Sequence, residues 1–188
     1  ARWPLSLSDG GALVAGARVD LPLSAPPNAL AFLRTARLIA FTSGTAIFTV
    51  DPLSGGVPER VVDGGAPLAG LTTYDQADGG ALLIVSVPSI ARFRVYAARG
   101  TRFPLLAEFS VAAADGGAIL PNAAWLDVVA SPMGRVDGGS ARWPQGALAI
   151  GASNQDAGAI YLLDWATIAR SATPVLAMDS PATGGSAG

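Results

Sequence analysis

Three side-chain types are missing from this 188-residue sequence: it has no His, no Cys and no Lys. Without His there is no Ser-His-Asp triad, no imidazole general base and no His-ligated metal. Without Cys there is no disulfide, no thiolate nucleophile and no Cys-ligated zinc. All 12 basic residues are Arg, which excludes a phosphate-loop Lys and a Schiff-base Lys. Carboxylate, hydroxyl and guanidinium chemistry survive. Charge is also scarce, at 14 % of residues, with a net charge of −2 and a pI near 4.9. That balance argues against a nucleic-acid footprint or an anionic-membrane binder. No apolar run reaches the roughly 18 residues of a membrane helix, so no membrane insertion is expected. No charged n-region followed by an apolar h-region is visible. A mature chain cut just before Ala1 would read this way, as would a piece of a longer chain, and the lack of Cys is compatible with export. An extracellular or periplasmic location is therefore expected.

Apolar residues make up 51 % of the chain, ample for a core. Punctuation is dense, with 23 Gly and 14 Pro, and Asp-Gly-Gly occurs at Asp9, Asp63, Asp78, Asp115 and Asp137. Asp-Gly suits tight hairpin turns, where positive φ is needed. Strand-length runs rich in β-branched, Leu and aromatic residues lie between these signals, as an antiparallel sandwich, barrel or propeller requires. They fall into three sets of four: 30–33, 38–42, 46–51 and 58–62; then 71–74, 81–87, 92–97 and 105–111; then 125–130, 147–152, 159–164 and 174–178. A leftover strand is expected near 13–21, and a single helical turn at 165–169. Grouping by fours is the pattern of propeller blades. The fold expected is all-β, an incomplete β-propeller of about three four-stranded blades over residues 1–179, with a β-sandwich as the alternative. Residues 180–188 read as a flexible tail or linker.

Ala29 to Asp51, Gly70 to Ser86, Arg92 to Tyr96 and Trp125 to Val128 follow one another in an order that resembles the β-propeller phytases, Ala29 to Asp51 being similar to that family's LYIAEEDVGIWKYD blade ending. Gly70-Leu71-Thr72-Thr73-Tyr74 followed by Asp78-Gly79-Gly80-Ala81-Leu82-Leu83-Ile84-Val85-Ser86 is similar to that family's GLTIYYA-DGKGYLIAS stretch. Arg92-Phe93-Arg94-Val95-Tyr96 falls where the family has SYAIYDR. Trp125-Leu126-Asp127-Val128 resembles DGIDV, Trp143-Pro144-Gln145-Gly146-Ala147-Leu148 resembles FPYGLFV, and Leu163-Asp164-Trp165-Ala166-Thr167-Ile168-Ala169 resembles VPWEDIA. The resemblance spans roughly residues 20–170 in consistent order. It implies the C-terminal half of a six-bladed propeller, and a calcium-dependent phytate hydrolysis that needs clustered carboxylates around several Ca²⁺ ions. The sequence departs from that pattern at the ligands. Ala69 stands where the family has Glu, Thr42-Ser43-Gly44-Thr45 where it has acids, and Ala124 and Ala152 where it has further Asp residues.

Asp127 is the one acid kept within a motif, a residual calcium ligand or a strand-end turn former. Cofactors are expected to be none, with calcium at Asp127 or the Asp-Gly-Gly loops as the alternative. Arg92 and Arg94 alternate along one strand and share a face, so their guanidiniums could grip phosphate or a sugar acid. Asn154 and Asp156 follow a strand near the family's active-site rim and could bind a polar ligand. Trp3, Trp125, Trp143 and Trp165 could stack on a sugar or pack between sheets. No residue is expected to be catalytic, because no base activates Ser6, Ser8 or Thr72. Three functions are consistent with these residues. The leading one is a non-catalytic phytase-like module acting in assembly, or as an accessory domain of an exported protein. The others are a phytase or phosphatase completed by another chain, and a binding domain for a polyanion or saccharide. Open blade edges without Lys also point to self-association, as a homo-oligomer or a filament.

Overall fold

Strand-forming runs pair with their sequence neighbours, and every paired sheet is antiparallel. The computed structural model describes residues 5–18, 20, 26–54, 56–76, 78–112, 123–135, 141–153 and 158–176. A hairpin of β1 (Leu5–Leu7) and β2 (Leu13–Ala15) comes first. The first sheet follows as a meander of β3 (Ala29–Leu33), β4 (Leu38–Ser43), β5 (Ala46–Val50) and β6 (Glu59–Asp63). The second is a meander of β7 (Leu71–Asp75), β8 (Ala81–Val87), β9 (Arg92–Ala98) and β10 (Leu105–Phe109). The third pairs β11 (Ala123–Val129), β14 (Ala147–Ser153) and β15 (Gly158–Asp164). A small hairpin, β12 (Met133–Arg135) with β13 (Ala141–Trp143), is inserted after β11. Helix α1 (Trp165–Ser171) follows β15. Among the described residues the protein is all-β, with three open antiparallel sheets of three or four strands and two small hairpins, consistent with an incomplete propeller or a sandwich.

The second sheet is the middle layer, and its period-2 alternation feeds two cores. Leu83, Val85, Val87 and Tyr96 pack with Leu33, Ala40, Ile47 and Val62 of the first sheet. Leu82, Ile84, Phe93 and Val95 pack with Leu126, Leu148 and Ile150 of the third. All seven residues of β8 are consequently buried, which is why Ala81–Val87 reads as an unbroken apolar run rather than an alternating one. Each such Leu, Ile or Val contributes about 1.5–3 kcal/mol by leaving water. Arg94, on the face of β9 that looks toward the first sheet, pairs with Glu108 across the β9–β10 ladder at 2.6 Å. It also donates to the Gly64 carbonyl at the exit of the first sheet.

Four expectations change. The fourth strand of the third set, at 174–178, is not formed within the described part, 174–176. Thr173 instead makes one isolated bridge to Glu108, on the outer strand of the second sheet. Pro174 has no N–H to extend that bridge into a ladder. Among the described residues the third sheet therefore has three strands, with β15 at its outer edge. The leftover strand near 13–21 is the shorter β2, and its partner β1 lies across the Asp9-Gly10-Gly11 turn, where Gly11 has φ +76°. The helical turn at 165–169 is a longer helix because Asp164 caps it, accepting from the Ala166 and Thr167 amides. The β12–β13 hairpin was not anticipated; its three-residue strands are too short to carry a periodicity signal. The expected 180–188 tail lies outside the described residues.

Candidate functional site

The first strands of the three sheets run side by side, with β7 between β3 and β11. Together with the residues that follow them they line a groove of about 560 Å³, within the range of small-molecule sites. Its polar lining is Arg34, Thr72, Thr73, Asp75, Asp127 and Ser131; the remainder is apolar. Arg34 follows β3, in a turn closed by the Arg37 N–H on the Arg34 carbonyl. Asp75 ends β7, and its Oδ2 lies 3.6 Å from Arg34 Nε. Asp75 Oδ1 is buried and has no hydrogen-bond partner. Thr73 Oγ1 donates to the Phe32 carbonyl at 3.4 Å and ties β7 to β3 along the groove. None of Arg34, Asp75 or Ser131 stood out as a constellation in the sequence. They are far apart in the chain, and only the side-by-side placement of the three first strands assembles them.

The opposite end of the sheets carries the positions at which the resemblance implies calcium ligands. Thr42 Oγ1 donates to the Ala69 carbonyl at 3.1 Å. The Ala69 amide donates to the Ser86 carbonyl, and the Gly70 amide to Ser86 Oγ at 2.8 Å. Asn28 Nδ2 donates to the Leu68 carbonyl. Hydroxyls and amides here satisfy buried backbone and lock the first sheet to the second. Asp127 sits on β11 at the groove with Oδ1 accepting its neighbour's amide, Val128 N, at 2.8 Å. Among the described residues no three His, Cys, Asp or Glu side chains gather as a metal-binding group.

Of the proposed ligand grips, Arg94 is engaged with Glu108 and Gly64 as an inter-sheet strut, while Arg92 at the start of β9 is exposed. The pair share a strand face, but neither lines the groove. Asn154 and Asp156 lie outside the described residues, as do Trp3, Asp115 and Asp137. Trp165 is buried and stacks on Tyr74 with ring centroids 4.8 Å apart. Trp143 lies under the Arg142 guanidinium, and Trp125 is half exposed on the outer face of the third sheet, against Gly151. Asp78-Gly79-Gly80 makes the β7–β8 hairpin turn, with Gln76 N donating to the Gly80 carbonyl. Asp63-Gly64-Gly65 is no hairpin; it is the exit from the first sheet, where Asp63 accepts from the Gly65 amide and pairs with Arg60. Those two contacts, the amide first, hold the Asp63 carboxyl below its usual range. Among the described residues, no helix is long and apolar enough to cross a membrane. No protein-family model and no curated protein matches the chain.

Proposed function

We propose that this chain is a non-catalytic, phytase-like propeller module of an exported protein, and that it works by assembling with a second copy of itself. The observation that carries this reading is the repeated joint between sheets. The first sheet meets one face of the second, and the third sheet meets the other. That leaves one unmatched face at each end of the stack. At the first sheet the open part is on β3, where Leu30 is 65 % and Phe32 49 % exposed. At the third it carries Trp125, Ile160 and Leu162, the last two 71 % and 53 % exposed. A monomer gains nothing by wetting these groups.

A second copy that sets its third sheet against the first sheet of its neighbour repeats the internal joint. Two copies joined both ways close a ring; copies that miss closure grow a filament. The β15 edge adds to the tendency: its run from Ala159 to Leu163 carries no charge and no Pro, and β15 is the outer strand of its sheet. The non-catalytic part of the reading rests on Thr42 and Ala69, which stand where the resemblance calls for carboxylates and are bonded to each other, Thr42 Oγ1 donating to the Ala69 carbonyl.

Light scattering on the purified chain at micromolar concentration tests the proposal. The expected mass is twice that of the chain for a ring, or a growing series for a filament. Substituting Ile160→Arg and Leu162→Arg together is expected to return the monomer. A monodisperse wild-type monomer overturns the proposal.

A further inference from the structure

The groove between β3, β7 and β11 has apolar walls, with Leu30, Phe32, Leu71 and Leu126 among them, and an excess of negative charge: Arg34 against Asp75 and Asp127. The other well-placed carboxylates of the fold are satisfied. Glu108 holds Arg94, Asp164 caps α1, and Asp63 accepts an amide and pairs with Arg60. Asp75 differs. One of its oxygens is buried without a partner, and the other meets Arg34 only at 3.6 Å, beyond hydrogen-bond distance. The Arg34 side chain is itself 80 % exposed, so that pair is screened and loose. A carboxylate half removed from water and incompletely compensated favours an added positive charge.

From this geometry we propose that the groove binds a small organic cation with an apolar body. Its ammonium or guanidinium group meets the reachable Asp75 oxygen and the nearby charge of Asp127, displacing Arg34. Its apolar body lies against the Leu71 and Leu126 walls. The same charge count disfavours a polyanion in this groove, because both carboxylates would repel it. The proposal concerns one copy's own lining and does not rest on assembly.

Calorimetric titration with phenethylammonium chloride tests it, with inositol hexakisphosphate and maltose as the anionic and neutral comparisons. The ammonium ion is expected to bind, the hexaphosphate and the sugar not. Asp75→Asn is expected to weaken ammonium binding at least about tenfold, since a charge-assisted contact is lost. Asp127→Asn should weaken it less. Arg34→Ala should tighten it, and because Arg34 is exposed this variant keeps the test meaningful even if an Asp75 variant folds poorly. No binding of the ammonium ion overturns the proposal. So does an affinity unchanged by all three substitutions, or tighter binding of the hexaphosphate. Solution mass, measured on the same samples, separates this outcome from the fate of the assembly proposal.

Discussion

Replacing Trp165 with Ala should loosen the joint between the second and third sheets more than any exposed substitution. Trp165 opens α1, is 2 % exposed, and stacks on Tyr74 at 4.8 Å and 21° between ring planes. Tyr74 in turn donates its hydroxyl to the Gln145 carbonyl at 3.0 Å, just before β14. One side chain therefore links the helix, the second sheet and the turn that enters the third. A buried Trp removes about 200 Å² or more from water, about 5 kcal/mol at 25 cal/mol per Å². Ala retains a small part of that, and measured Trp-to-Ala losses in cores run at about 3–5 kcal/mol. We expect about 4 kcal/mol, which for a domain of this size lowers Tm by about 8–16 °C. Trp165→Phe keeps a ring on Tyr74 and should lose about half as much. Urea unfolding followed by far-UV circular dichroism measures both. A loss below about 1 kcal/mol for Trp165→Ala would refute the view that this stack joins the sheets.

Four further outcomes follow, two from single residues and two from calcium. Gly146 has φ +85°, and a Cβ there would sit 1.9 Å from the Val129 carbonyl oxygen, so Gly146→Ala should cost at least about 2 kcal/mol in a urea melt. Burial pushes the Tyr74 phenol up to about 12 from its ordinary 10; its contribution is complete below pH 10 and is lost as pH rises through about 12, a loss that Tyr74→Phe should reduce in alkaline melts. Melting in EDTA and in millimolar CaCl₂ should agree within about 1 °C, because a native-state ligand at a hundred times its Kd would add about 2.7 kcal/mol; phosphate release from phytate should be absent under the same calcium.

Most strands were legible in the sequence because the hydrophobic pattern is local. Residues 38–42, 81–87 and 92–97 fall within β4, β8 and β9, where apolar, β-branched and aromatic side chains cluster and Asp-Gly turns mark an end. What misled was chemistry that acts outside a strand. Pro174 removes the donor that a fourth strand in the third sheet would need, and the chain spends Thr173 on the second sheet instead. Asp164 reads as the end of a strand until its side chain is seen to hold two helix amides. The site was less legible. Arg92 and Arg94 stood out by alternation, yet the partner that occupies Arg94 is Glu108, 14 residues on and visible only through the ladder register. Arg34 and Asp75 have no short-range signature, and Asp127, visible within its own motif, joins them only once three first strands lie side by side.

The central claim, that the open face of the first sheet receives the third sheet of another copy, has a direct measurement in a chain that contains no native Cys. Phe32→Cys and Trp125→Cys are placed in separate chains, each on the open face of its own sheet. The two purified proteins are then mixed at micromolar concentration under mild oxidation. The account predicts a mixed disulfide dimer in the mixture well above the homodimers formed by either protein alone. Equal, slow cross-linking in all three samples, at the rate of random collision, would contradict it.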